Sequence, residues 1–175
     1  MNAATLLFSL GAMLRMVQGV SLVNYAPGCG VDAEFGSWYS ELFIQNEDPT
    51  STSSYTDFFA PNASFIILGD VATGPDAILR ARGDMLPSDG SLQWNHIPNT
   101  TIVSAESATE KTFHVFGVLQ TITTANGTCT TTDYQTLLTV AKNTTTGAAN
   151  LIPHSGSLLI IDAFIIDPSN APCTI

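Results

Sequence analysis

The amino-acid sequence predicts an α+β domain in which a curled antiparallel sheet wraps over helices. The first observation is that apolar residues recur at helical spacing in segments before residue 87. The second is that four long strand-like segments follow, between residues 92 and 166. A chain of 175 residues with 45% hydrophobic residues is long enough to bury one sizeable core. The predicted order is therefore helices first and sheet afterwards, within a single domain.

The charge balance excludes two classes of partner. The chain has 15 acidic and 5 basic residues, a formal net charge of −10. Contacts to nucleic-acid phosphates and to anionic lipids depend on lysine and arginine. We therefore expect neither a nucleic-acid partner nor a membrane partner once the N-terminal segment is removed.

Residues 1–19 are typical of a secretory signal peptide, followed by an N-terminal tail over residues 20–30. The apolar run over residues 3–14 is too short to span a bilayer but suits the core of a signal sequence. No lysine or arginine precedes the run, and Arg15 follows it. The alternative interpretation is an N-terminal helix packed on the fold.

Four glycosylation sequons also favour export. In each, an asparagine is followed at the second position by serine or threonine. The asparagines are Asn62, Asn99, Asn126 and Asn143. Together with the N-terminus they predict a secreted glycoprotein.

Three helices are predicted before the main sheet. The first runs over Ala33–Gln45, with Asp32 as its N-cap, and stops before Pro49 because proline disfavours a helical residue ahead of it. Its apolar positions include Trp38. The second covers Ser54–Phe59, and the third begins at Pro75 and ends near residue 86. Arg80 and Arg82 of the third helix are expected to be solvated.

The most informative stretch is residues 92–120, interpreted as two neighbouring strands joined by a turn. Period-2 alternation places Trp94 and His96 on one face of the first strand. On the second strand it places His114 and Phe116 on one face. We expect these four side chains to line the same concave wall.

Other strands are predicted over residues 64–68, 128–140 and 157–166. The last two should pair antiparallel, which would bring Cys129 near Cys173 and form a disulfide in an oxidising compartment. A Cys29–Cys173 bridge is the alternative. The cysteine spacing resembles no zinc site, and no metal is expected.

The order of elements, with particular residues, resembles the nuclear transport factor 2-like fold. It is most similar to the SnoaL-like polyketide cyclases and to scytalone dehydratase. The resemblance covers residues 31–168 and leaves residues 169–175 as a C-terminal tail. It is carried by the segments 55–61, 73–78 and 95–97, by the strand with His114, and by the long final hairpin.

The resemblance implies a cone-shaped sheet that encloses a mostly apolar pocket, often in a homodimer, with chemistry that requires no cofactor. It implies that Asp48 orients His96 and that His114 is a second catalytic histidine. The two tyrosines of scytalone dehydratase correspond to Glu47 and Ile67, so its particular dehydration is not expected here.

Three functions follow as hypotheses. The first is a secreted cyclase, isomerase or dehydratase that acts on an apolar natural product by His/Asp acid–base chemistry. The second is a secreted protein that binds a small molecule without catalysis. A dimeric interaction module is a third. The candidate substrate-binding residues are Trp38, Trp94, Phe116 and Tyr134, for which core packing is the alternative role.

Overall fold

A computed structural model describes residues 20–173, without the side chains of residues 165–170. The predicted signal peptide lies outside the described residues. The helices are α1 (Phe35–Glu47), α2 (Ser53–Thr56) and α3 (Pro75–Met85). The strands are β1 (Ala26–Pro27), β2 (Phe59–Ile67), β3 (Asp70–Thr73), β4 (Leu92–Glu106), β5 (Glu110–Thr123), β6 (Thr128–Ala141) and β7 (Leu158–Pro172).

The strands form one seven-stranded sheet in the order β1-β4-β5-β6-β7-β2-β3. The α+β class is confirmed, and so is the sheet wrapped over N-terminal helices. The sheet is nevertheless mixed, because β1 pairs with β4 in parallel and β2 pairs with β7 in parallel. The four long strands β4 to β7 pair antiparallel throughout, as expected.

Helix α1 fills the interior of the curved sheet. Its buried residues follow the spacing of one helix face, and it ends before Pro49 as predicted. They are Phe35, Trp38, Tyr39, Leu42, Phe43 and Asn46. The Phe35 ring lies 4.2 Å from the ring of Phe113 on β5, measured between centroids. The face of the sheet that meets α1 is called the inner face below.

The second helix is shorter than predicted, and the strand after it begins earlier. Helix α2 ends at Thr56, and β2 starts at Phe59 and contains Pro61. Proline cannot donate to a strand ladder, but the register with β7 is irregular between Phe59 and Ser64. Pro61 therefore lies where the ladder is already interrupted.

The register between β4 and β5 corrects the prediction that the histidines of both strands line the same wall. His96 pairs with Leu119, whereas His114 pairs with Ile102 beyond a register shift. Phe113 and Val115 are fully buried on the inner face, so His114 and Phe116 point to the opposite face of the sheet. Alternation along one strand shows which of its residues share a face. It does not show which face of the neighbouring strand they match, because that depends on the register between the strands.

The disulfide prediction is confirmed. Cys129, at the start of β6, is bonded to Cys173, with 5.4 Å between their Cα atoms. Antiparallel pairing of β6 and β7 brings these ends together, as the sequence suggested. Cys29 is free and exposed, which excludes the alternative bridge. Within residues 20–173, no helix is long and apolar enough to cross a membrane.

Candidate active site

A cavity of about 170 Å³ lies between the helices and the inner face of the sheet. Most of its lining is apolar and includes Leu42, Phe43, Phe65, Ile67, Met85 and Leu119. A few polar groups join them, including Asn46, Tyr55, His96 and Tyr134. Leu68 also lines the cavity and is 66% exposed, so it marks the opening. An apolar pocket with a few convergent polar groups is the usual form of a small-molecule site.

The central polar feature is a buried histidine–carboxylate pair. His96 Nδ1 lies 3.0 Å from Oε1 of Glu47, and the same oxygen accepts a hydrogen bond of 2.5 Å from the His96 backbone N–H. The side chains of His96 and Glu47 are only 11% and 6% exposed. A carboxylate at Nδ1 fixes the ring and leaves Nε2 as the nitrogen available to a ligand.

The structure corrects the prediction that Asp48 orients His96. Asp48 is exposed, and its Oδ1 accepts hydrogen bonds from the backbone N–H of Thr50, at 2.9 Å, and from the Thr50 hydroxyl, at 2.7 Å. Asp48 is the C-cap of α1 and has an extended backbone. Its side chain therefore does not continue the inward-facing side of the helix. Glu47, one residue earlier and still helical, holds the position expected of the aspartate.

Arg82 holds the end of α1 that carries Glu47, and the expectation that it is solvated is wrong. It is 2% exposed and donates hydrogen bonds to four backbone carbonyl oxygens. These belong to Gln45 at 3.2 Å, Asn46 at 3.5 Å, Asp48 at 2.6 Å and Ser51 at 2.6 Å. A cation suits the negative pole of a helix C-terminus, where carbonyl groups lack helical partners. Burial lowers the pKa of Arg82, yet an arginine remains charged.

Two tyrosine hydroxyls meet next to the histidine. Tyr39 Oη and Tyr134 Oη are 2.6 Å apart, and the Tyr134 ring lies 5.3 Å from the His96 ring between centroids. Burial raises the pKa of Tyr134 above its ordinary value, and the charge of Glu47 adds to the rise. Burial also raises the pKa of Tyr39 well above its ordinary value. Both phenols therefore stay neutral, and one of them donates its proton to the other.

Gly117 makes room for Tyr134. The two residues pair across β5 and β6, and a Cβ on Gly117 would lie 2.7 Å from Tyr134 Oη and 2.5 Å from the Ile97 carbonyl oxygen. A glycine inside a strand often marks such a close approach. The sequence signal was a glycine inside a predicted strand, but only the observed register shows that it pairs with Tyr134.

The remaining candidate residues divide between the two faces. Trp94 and Tyr134 line the cavity beside His96, as expected. Trp38 is 1% exposed and packs among aromatic residues of the core, which agrees with the alternative role of core packing. Phe116 and His114 lie on the opposite face, where His114 Nε2 is 2.6 Å from Gln135 Oε1. In the part of the chain that the structure describes, no group of three or more metal-ligating side chains is present.

No protein-family model matches this chain, and no curated protein matches it in sequence. Solved structures do. ActVI-ORFA from Streptomyces coelicolor superposes with a TM-score of 0.60 at 15% identity, covering 76% of this chain and 95% of that protein. Aln2 from another Streptomyces species gives 0.57 at 14% identity, covering 77% and 93%. An NTF2-like protein of unknown function from Exiguobacterium gives 0.52 at 13% identity, covering 77% and 98%.

The chain has a nuclear transport factor 2-like fold. The similarity spans about three quarters of the chain and nearly the whole of each of these neighbours. It confirms the resemblance stated from the sequence at the level of the fold. The fold does not determine the chemistry, because one fold supports many functions. The chemistry depends on the residues at the site.

Proposed function

We propose that this protein is a cofactor-independent enzyme that moves a proton on an apolar small molecule, in an isomerisation, cyclisation or elimination. The observation that carries the proposal is the Glu47–His96 pair at the wall of an apolar cavity. A histidine fixed by a carboxylate is a common general base and general acid. Within this proposal Glu47 takes the role that the sequence assigned to Asp48.

The proposed step starts with a C–H bond next to a substrate carbonyl group. Nε2 of His96 takes the proton, the C–H electrons form the enolate, and negative charge develops on the carbonyl oxygen. Nδ1 stays protonated because it faces the Glu47 carboxylate, which also stabilises the imidazolium. The proton then returns to carbon, or leaves with a β-substituent, according to the substrate.

Tyr134 is suited to stabilise the enolate oxygen. Its hydroxyl is neutral, buried and beside His96, and Tyr39 holds it in place. A donor that is already oriented needs little reorganisation when charge develops. The two tyrosine hydroxyls thus supply the electrophilic side of the site, and His96 supplies the basic side.

The test is solvent deuterium exchange into 2-tetralone, an apolar ketone with acidic C–H bonds, followed by NMR in D₂O. The wild-type protein should accelerate exchange, and His96→Gln should lower the rate by about 10²–10⁴-fold. Glu47→Gln should lose a large part of that rate, because the neutral amide no longer stabilises the imidazolium. Asp48→Asn is the matched control and should exchange at the wild-type rate. Equal rates in wild type and His96→Gln would refute the proposal.

Binding without catalysis is the second candidate function. It is favoured by the largely apolar lining and by a Tyr134 hydroxyl that already has a partner in Tyr39. A structural neighbour from Catenulispora acidiphila was solved in complex with S-DNPA, which supports a small-molecule site in this fold. Saturable binding of 2-tetralone with no exchange above the solvent rate would select this function.

We also propose that the protein is made in a secretory pathway and is glycosylated. The Cys129–Cys173 disulfide supports an oxidising compartment, and all four sequon asparagines are exposed. Removal of residues 1–19 stays a prediction. Intact mass of secreted protein, before and after glycosidase treatment, tests both; an unmodified species that begins at Met1 would contradict them.

The homodimer that the resemblance implies also stays a prediction. Sedimentation equilibrium over a range of protein concentrations measures it directly. A single species at the mass of one chain would contradict it.

A further inference from the structure

Tyr55 lines the cavity and carries a buried hydroxyl without a protein partner. The residue belongs to α2 and is 0% exposed. Within residues 20–173, its Oη atom is buried and has no hydrogen-bond partner. The hydroxyl of Tyr134, in the same cavity, is paired with Tyr39. A buried unpaired hydroxyl is costly to a fold, so one on a cavity-lining residue can be satisfied by an acceptor atom of a ligand.

The surroundings of Tyr55 keep its phenol neutral and hold its ring in place. The Arg82 guanidinium carbon lies 5.1 Å from the centroid of the Tyr55 ring, on its face. The Phe59 ring meets Tyr55 edge-on at 5.1 Å. Burial raises the pKa of Tyr55 above its ordinary value, while the Arg82 charge acts in the opposite direction. The phenol is therefore neutral and keeps a proton to donate in a hydrogen bond, while the cation over its ring holds the ring in position.

We propose that Tyr55 is a ligand-binding residue that donates its hydroxyl to an acceptor oxygen on an otherwise apolar ligand. The inference rests on the proposed function and narrows the ligand class to apolar compounds that carry a carbonyl, ether or similar acceptor oxygen. The ligand oxygen has two lone pairs, so it can accept from Tyr55, which is unpaired before binding, as well as from Tyr134 in the proposed step. Arg82 acts behind the ring as a positioning residue.

The experiment compares two probes of similar shape, 2-acetylnaphthalene and 2-isopropylnaphthalene, which differ in the acceptor oxygen. Dissociation constants are measured for wild type, Tyr55→Phe and Tyr25→Phe. Wild type should prefer the ketone by roughly tenfold, the worth of one good hydrogen bond. Tyr55→Phe should lose that preference and bind the hydrocarbon as well as wild type does. Tyr25→Phe removes a buried hydroxyl outside the cavity lining and should keep the preference.

Thermal unfolding of the same variants separates ligand binding from a structural role. Tyr55→Phe should melt at the wild-type temperature or above it, because it removes an unpaired polar atom and keeps the ring on Arg82. A clearly lower melting temperature would show that the hydroxyl is bonded inside the protein and would overturn the inference.

Other results overturn the inference in distinguishable ways. A ketone preference that survives in Tyr55→Phe, or that is lost instead in Tyr134→Phe, assigns the oxygen to another residue. Equal affinity of wild type for both probes shows that no acceptor is recognised. Each of these leaves the proposed function standing. If wild type binds neither probe, the cavity does not take apolar ligands of this kind, and both the inference and the proposed function are contradicted.

Discussion

The two histidines on the central strands have similar neighbours but differ in what those neighbours can do. His96 on β4 and His114 on β5 both pack against aromatic rings. Each also places a ring nitrogen close to a side-chain oxygen, which belongs to Glu47 for His96 and to Gln135 for His114. Glu47 offers a carboxylate, whereas Gln135 offers a neutral amide.

The difference is one of face and charge rather than residue type. His96 lines a cavity on the inner face, and its partner arrives from a helix. His114 lies on the opposite face, and its partner comes from the neighbouring strand β6. A neutral amide orients a ring, but only a carboxylate also stabilises its protonated form. The inner histidine therefore has the charged partner that the proposed proton transfer requires, whereas the outer one has only a neutral partner.

The Glu47–His96 pair on the inner face is called the inner site. Arg82 holds the helix end that carries Glu47, so substitution of Arg82 should have the largest effect on stability. Arg82→Gln should lower the free energy of unfolding by about 3–5 kcal/mol, because several buried carbonyl groups at the end of α1 lose a charged donor. Urea unfolding measures the change. The end of α1 would then be free to move Glu47 away from His96.

Arg80→Gln is the matched control on the same helix. Arg80 is exposed, so its substitution should change stability by less than about 0.5 kcal/mol. Similar losses for both variants would show that the hydrogen bonds of Arg82 do not support the inner site.

The order of elements could be predicted from the sequence because it depends on local signals. Apolar spacing, together with Pro49 and Pro75, placed α1 and α3 within a few residues. The pairing of the last two strands followed from their length and order, and it located the disulfide. These features need no knowledge of how distant segments meet.

The site could be predicted only in part, because it depends on contacts between distant segments. The position of His96 on the inner face was predicted from its strand. Its partner was misplaced by one residue, since the exact end of α1 decides whether residue 47 or 48 points inward. Arg82 was expected in solvent because helical periodicity alone cannot show that α3 packs against the end of α1. His114 was placed on the wrong face because the register of β4 against β5, with its shifts, sets their relative phase.

Gly117 offers a second way to disturb the inner face, with a smaller effect. Gly117→Ala should destabilise the protein by about 1–3 kcal/mol, because the added Cβ would overlap Tyr134 and the Ile97 carbonyl. The same change at Gly83 is the control: this position is exposed in α3, and nothing lies within 4 Å of an added Cβ. Gly83→Ala should stabilise by about 0.5–1 kcal/mol. Opposite signs of the two shifts in melting temperature support the contact, and equal signs contradict it.

The smallest effect is expected on the outer face, at His114. His114→Leu removes one hydrogen bond to a half-buried amide and keeps an apolar side chain on a strand, so stability should change by at most about 1 kcal/mol. Exchange of deuterium into 2-tetralone should proceed at the wild-type rate, because His114 faces away from the cavity. His96→Leu is the comparison and should abolish the exchange. If His114→Leu slowed exchange as strongly as His96→Leu while the protein stayed folded, the outer face would have to carry chemistry. The division between an inner catalytic histidine and an outer structural one would then be wrong.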